Sequence, residues 1–103
     1  MKLVIIESPF RGDLEKNLRY AHAAIKDSLN HGEAPFASHL LYTGALNDND
    51  MEERALGIKA GWAWMERADL VAVYLDLGIS EGMKRGINTA NNIGLIIEYR
   101  KLY

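Results

Sequence analysis

The chain has 103 residues, of which 49% are hydrophobic and 25% charged, with a net charge of -2 and no cysteine. This length and composition predict a single globular domain spanning residues 1–103. The missing cysteines exclude disulfides, thiolate metal sites and cysteine nucleophiles. There is no basic run, no apolar stretch of bilayer length and no secretory signal pattern. We therefore expect a cytoplasmic protein that binds neither nucleic acid nor membrane.

The first part of the chain predicts a strand followed by a helix. Residues 3–6 are a short apolar run rich in β-branched side chains, which is typical of a parallel strand covered on both faces. A helix should begin near Asp13 and end at Gly32. Its predicted buried face comprises the apolar residues Leu14, Leu18, Ala21, Ile25 and Leu29. A short strand is expected near residues 35–38, followed by a loop or a turn of helix.

The next helix is predicted from about residue 51 to 66. Asp50 and Glu53 have the spacing of a capping box at its start. Its apolar face should carry Ile58, Trp62 and Met65. Gly57 and Gly61, four residues apart, would allow another helix to approach closely. Trp62 and Trp64 should face different directions, one into the core and the other into the interface of a homo-oligomer.

The last part of the chain again alternates strand and helix. An apolar strand at residues 70–75 is followed by a helix from Ser80 to about Ile93, and a strand at residues 95–99. This order predicts an α/β fold, a small three-layer flavodoxin-like or Rossmann-like parallel sheet of about four strands. Ligands of such sheets bind beyond the carboxyl ends of the strands. The loops at residues 8–13 and 76–80 should therefore lie side by side.

The loop after the first strand is a candidate ligand-binding segment. Its candidate residues are Ser8, Pro9, Phe10, Arg11 and Gly12. Arg11 has the geometry to bind a phosphate group with two hydrogen bonds. Alternatively, Arg11 is a solvated surface charge. The loop matches neither the dinucleotide-binding fingerprint nor the Walker loop.

The loop that opens the last helix is the second candidate segment. Ser80 is a natural N-cap, and the free N–H groups of a helix start attract anions such as phosphate. Gly78 and Gly82 would let a ligand approach the backbone. Asp76 ends the preceding strand, where it is suited to orient a ribose hydroxyl or a base. Glu81 is suited to act as a nucleophile or general base toward a sugar carbon, although the helix dipole alone also favours an acidic residue there.

The three histidines do not share a metal-ligand spacing, and we expect neither a metal nor a cofactor. Among them, His39 is the one predicted to line a pocket.

Several stretches of the chain resemble a family of short proteins that are common in phages and bacteria. They are IIESPFRGD, PFASHLLYT, MEERALGIKAGWAW and ADLVAVYLDLGISEGMKRGINTANNIGLIIEYRKL. That family is similar to the nucleoside 2-deoxyribosyltransferase superfamily. The resemblance implies a flavodoxin-like sheet and a pocket for a nucleoside or nucleotide. For a phage-encoded member it also implies the host cytoplasm.

The resemblance implies roles for individual residues. In the transferases, a Glu on the helix after the Asp-x-Gly strand end attacks the sugar C1′ and displaces the base, while an Asp of the strand end assists. Asp76 matches that Asp, and Ser8 matches a substrate-holding residue after the first strand. Aligning Ala90 and the helix-ending glycine with the superfamily places its Glu at Gly86, whereas Glu81 lies in the first helical turn.

Three functions follow as hypotheses. In the first, which the absence of a Glu at position 86 favours, the protein binds or sequesters a nucleotide-like metabolite. In the second, it is an N-glycosidase or deoxyribosyltransferase with Glu81 as nucleophile and Asp76 assisting. In the third, it is a non-catalytic oligomeric interaction domain that uses the two tryptophans and the Gly57/Gly61 face.

Overall fold

The protein is a four-stranded parallel sheet flanked by helices, as seen in a computed structural model that describes residues 1–103. In chain order the elements are β1 (Leu3–Glu7), α1 (Leu14–Asn30), β2 (Ala34–Phe36), α2 (Ser38–Ala45), α3 (Met51–Met65), β3 (Leu70–Tyr74), α4 (Glu81–Asn92) and β4 (Ile96–Arg100). The strand order is β2-β1-β3-β4 and every neighbouring pair is parallel. The predicted α/β fold and strand number are confirmed.

The core lies on both faces of the sheet, which makes the fold three-layered. Every residue of β3 is buried, as its unbroken apolar run predicts. Alternate residues of β1 and β3 point to opposite layers. One layer contains Val4, Ile6, Tyr20, Ala24, Leu70, Ala72 and Tyr74, and the other contains Ile5, Met65, Val71, Val73, Met83, Ile87 and Ala90. No helix has the combined length and hydrophobicity that crossing a membrane requires.

The buried face of α1 differs from the predicted one. Its buried residues are Asn17, Tyr20, Ala21, Ala24 and Ser28. Three of the predicted residues, Leu14, Leu18 and Leu29, are instead exposed. The physical reason is that the small side chains of Ala21, Ala24 and Ser28 let the helix backbone lie close to the sheet. The leucine spacing was therefore the wrong guide to the face of this helix.

The segment between β2 and α3 folds as a short strand and a two-turn helix. β2 is only three residues long, and α2 takes the place of the expected loop. Helix α2 packs on the glycines of α3: a Cβ atom added at Gly61 would lie 2.9 Å from Ser38 Oγ, and one at Gly57 would lie 3.3 Å from Leu46 Cδ1. The predicted close helix approach at these glycines is confirmed.

The cap of α3 is only half of the predicted capping box. Asp50 accepts hydrogen bonds from the backbone N–H groups of Glu52 and Glu53. The carboxylate of Glu53, however, accepts from the backbone N–H of Asn47 and not from that of Asp50. Glu53 therefore ties the preceding loop to the helix.

Candidate functional site

A cleft of about 450 Å³ opens at the carboxyl end of β1. The loop after β1, helices α2 and α3, and the first turns of α4 form its walls. From β1 the chain runs to β2 on one side of it, and from β2 it crosses to β3 on the other side of β1. The cleft thus lies at a topological switch point, where open α/β sheets bind ligands, and its volume is that of a small-molecule site.

The structure brings most of the predicted site residues to this cleft. Ser8, Phe10, Arg11, His39, Ser80, Glu81 and Gly82 line it. Pro9, Asp76 and Gly78 line an adjoining, shallower recess instead. Gly12 lines neither. The two predicted loops therefore do lie side by side, but a single cavity does not collect all of their residues.

Ser8 and His39 form a polar pair on the floor of the cleft. Ser8 Oγ and His39 Nε2 are hydrogen-bonded at 2.8 Å. Burial lowers the pKa of His39 to about 4, so its imidazole is neutral at physiological pH. A neutral imidazole and a hydroxyl can each donate or accept a hydrogen bond. The pair therefore suits a ligand that carries hydroxyl groups.

Glu7 is the acidic residue of the cleft that the sequence analysis missed. It ends β1, and its side chain crosses to α4 at Gly86, where a Cβ atom would lie 2.6 Å from both carboxyl oxygens. Its carboxyl group has no hydrogen-bond or ion-pair partner in the chain, and burial raises its pKa to about 8. The signal was present in the sequence, because Glu7 follows an apolar strand just as Asp76 does.

Asp76 uses its carboxylate to hold the C-terminal segment. It accepts hydrogen bonds from the Tyr20 hydroxyl at 2.6 Å, from the Leu102 N–H at 2.8 Å and from the Tyr103 N–H at 3.2 Å. The Tyr20 hydrogen bond in particular holds the pKa of Asp76 below its ordinary value. This carboxylate lies outside the cleft, so its predicted action on a base or a sugar stays a prediction.

Glu81 lies at the mouth of the cleft and faces solvent. Its side chain is 81% exposed, and its carboxylate is 3.2 Å from Lys84 Nζ on the next turn of α4. Ser80 caps the same helix by accepting from the Met83 N–H. The predicted role of Glu81 as a nucleophile stays a prediction.

Three arginines surround the cleft, and they differ in their partners. Arg11 donates from Nη2 to Asp48 at 2.8 Å, and Arg54 lies 4.0 Å from the same carboxylate. Arg85 forms no salt bridge, and its Nη2 atom would lie 3.7 Å from a Cβ atom added at Gly82, at the start of α4. An anion at that helix start would meet Arg85 directly, whereas Arg11 would first have to leave Asp48.

The tryptophans of α3 are both partly exposed, Trp62 by 40% and Trp64 by 48%. The prediction that one of them belongs to the core is wrong, because Gly61 and Met65 occupy the buried positions of the helix. Trp62 lines the cleft. Trp64 packs on Phe36 with ring centroids 4.7 Å apart and donates from Nε1 to the Tyr42 hydroxyl.

The chain matches one family model over residues 2–100, that of a domain of unknown function (DUF7768). Its fold is similar to the solved structure of a 2-deoxyribosyltransferase from the psychrotolerant bacterium Bacillus psychrosaccharolyticus. That likeness has a TM-score of 0.78 and covers 96% of this chain and 72% of the other, at 15% sequence identity. It shows that the two proteins share a fold. No curated protein matches the sequence.

Proposed function

This chain belongs to the DUF7768 family of unknown function, and we propose that it binds a nucleoside or nucleotide in the cleft between β1 and α4. The observation that carries the proposal is the arrangement of three kinds of group around one cavity. An aromatic ring, a neutral hydrogen-bonding pair and a cationic helix start are the complements of a base, a sugar and a phosphate.

Each part of the cleft suits one part of such a ligand. Trp62 offers an indole face, on which a base can stack with a gain of about 1–3 kcal/mol. The Ser8–His39 pair can exchange hydrogen bonds with sugar hydroxyls. Arg85 and the first N–H groups of α4 favour a phosphate. The fold shared with a 2-deoxyribosyltransferase supports a nucleoside-related ligand.

A thermal-unfolding panel of nucleosides, deoxynucleotides, NAD and cyclic nucleotides tests this proposal. A ligand that binds only the folded protein raises Tm in a dose-dependent way. Arg85→Gln should reduce the shift with nucleotides and leave that with nucleosides. Lys84→Gln is the matched control, because Lys84 is a neighbouring cation of α4 that does not line the cleft. No shift with any compound contradicts the proposal.

A second candidate function is cleavage of the bond between base and sugar, as an N-glycosidase or deoxyribosyltransferase. It is favoured by Glu7 and Glu81, two of the acidic side chains that line the cleft and the two that β1 and α4 contribute. Chromatography of each ligand that raises Tm, after incubation with the protein, would show whether free base is released. Glu81→Gln tests the predicted nucleophile in the same assay.

A homo-oligomeric interaction domain stays a prediction. Gly57 and Gly61 cannot serve as its interface, because α2 of the same chain covers them. The exposed ring of Trp64 remains available on α3. Light scattering of Trp64→Ala without ligand would show whether that ring holds copies together.

A further inference from the structure

We propose that Glu7 is the general acid of the cleft, which delivers a proton to the departing base when the bond between base and sugar breaks. This proposal rests on the proposed function, since it requires a nucleoside or nucleotide in the cleft. It assigns the reaction to a residue of β1 and leaves the exposed Glu81 of α4 without a chemical step.

The first support is the position of the Glu7 carboxyl group. It lies between β1 and α4, in space that is empty only because residue 86 is glycine. A Cβ atom at Gly86 would meet both carboxyl oxygens at 2.6 Å and the Cδ atom at 2.8 Å, which is too close for any side chain to share the space. The absence of a side chain at Gly86 thus leaves room for the carboxyl group of Glu7 at the wall of the cleft.

The second support is that nothing in the chain neutralises a charge on Glu7. The charged and titratable groups that line the cleft with it are Arg11, His39, Asp48, Glu53, Arg54, Glu81 and Arg85. Asp48 forms an ion pair with Arg11 and lies 4.0 Å from Arg54, and His39 is hydrogen-bonded to Ser8. None of the cations, Arg85 included, forms an ion pair with Glu7. A carboxyl group that is largely shielded from water and has no cation beside it favours its protonated form. Glu7 therefore holds a proton at neutral pH that it can donate.

The chemical step balances without a cofactor. The bond between the sugar C1′ and the base nitrogen breaks, and its electron pair stays with the base. The base takes up the proton of Glu7, which becomes a carboxylate. A water molecule bonds to C1′ and gives a proton back to Glu7. The products are a free base and a free sugar or sugar phosphate.

The test compares Glu7→Gln with the unaltered chain, using the common 2′-deoxynucleosides and their 5′-monophosphates as probes. Glutamine keeps the size and polarity of the side chain but has no proton to donate. We expect the ligand-induced rise in Tm to persist while base release falls at least about 100-fold, the lower range for general acid catalysis. Glu15→Gln, which alters a carboxylate paired with Arg19 on α1, should change neither.

The pH dependence of base release separates an acid from a purely structural residue. Burial raises the pKa of Glu7 to about 8, so base release by the unaltered chain should fall as the pH rises through that value. The residual activity of Glu7→Gln should lack this fall. Base release that instead rises with pH through the same range would make Glu7 a base or a nucleophile and overturn the proposal.

A conservative variant tests whether the carboxyl group itself is what matters. Glu7→Ala should lose base release, whereas Glu7→Asp, which keeps a carboxyl group at the end of the same strand, should retain part of it. The proposal would be overturned if Glu7→Gln released base as fast as the unaltered chain. It would also be overturned if Glu81→Gln lost base release while Glu7→Gln kept it. If the unaltered chain gives a Tm shift but releases no base, the acid role fails and the binding function stands. If no probe shifts Tm, the binding function itself fails.

Discussion

The carboxyl group of Glu7 and the backbone of Gly86 occupy adjoining space that only a residue without a side chain at position 86 allows. The contact joins the end of β1 to the middle of α4, two elements far apart in the chain. It also places an acidic side chain at the switch point of the sheet, where this fold binds ligands.

Gly86→Ala should therefore destabilise the protein, and the cost should depend on Glu7. Forcing a methyl group into an occupied space typically costs about 1–3 kcal/mol. In a Glu7→Ala background the space is empty, so the same change should cost much less. Urea unfolding of the two single variants and the double variant gives the coupling energy. Additive effects would show that the two residues do not share this space.

Glu7 should lower the stability of the protein as the pH rises from 4.5 to about 8, and the net fall should be visible above about pH 6.5, where His39 no longer offsets it. The pKa of Glu7 is raised from 4.5 to about 8, so between these two values the folded chain binds a proton that the unfolded chain has lost. The expected slope is at most about 1.4 kcal/mol per pH unit. Glu7→Gln should flatten the curve of unfolding free energy against pH and be more stable than the unaltered chain at pH 8. An equal slope in both proteins would contradict the burial of Glu7.

His39 should have the opposite effect at lower pH. Its pKa is lowered from 6.5 to about 4, so between these values the unfolded chain binds a proton that the folded chain does not. This contribution is therefore complete above pH 6.5 and is lost as the pH falls toward 4. The imidazole pKa is measurable by NMR titration of the ring protons. A value near 6.5 would mean that the Ser8–His39 pair is open to water.

The alternation of strands and helices along the chain could be predicted because it depends on short stretches of sequence. Apolar runs with β-branched residues predicted β1, β3 and β4. Asp13, Asp50 and Ser80 marked the helix starts, where each accepts backbone hydrogen bonds. The face of α1 could not be predicted in this way, because its leucines and its small residues form two competing stripes, and only the distance to the sheet decides between them.

The acidic residue of the cleft was missed for a different reason. In the sequence, Glu7 has the pattern of a polar residue that ends a strand. Its position in the cleft depends on Gly86, the glycine of α4 that it contacts. Asp76 has the same sequence signal, yet it is engaged by Tyr20 and the C-terminal backbone. Sequence position alone therefore could not decide which strand-end carboxyl group faces the cleft.

Arg100 and Glu33 should form the most costly ion pair to break. Their side chains are only 8% and 12% exposed and form two hydrogen bonds at 2.7 and 2.8 Å. Arg100 holds the pKa of Glu33 below its ordinary value. Arg100→Met leaves a buried carboxylate unpaired, which typically costs about 3–5 kcal/mol. Arg19→Met, which breaks an exposed pair with Glu15, should cost less than about 1 kcal/mol in the same urea unfolding experiment.

The most direct test of the account is a fluorescence titration of Trp64→Phe, in which Trp62 is the only tryptophan left. Trp62 lines the cleft, so a bound base that stacks on it should change its emission. We predict a saturable change in Trp62 emission over the same range of nucleoside or nucleotide concentration that raises Tm. An emission that stays constant while Tm rises would place the ligand elsewhere and contradict the proposed site.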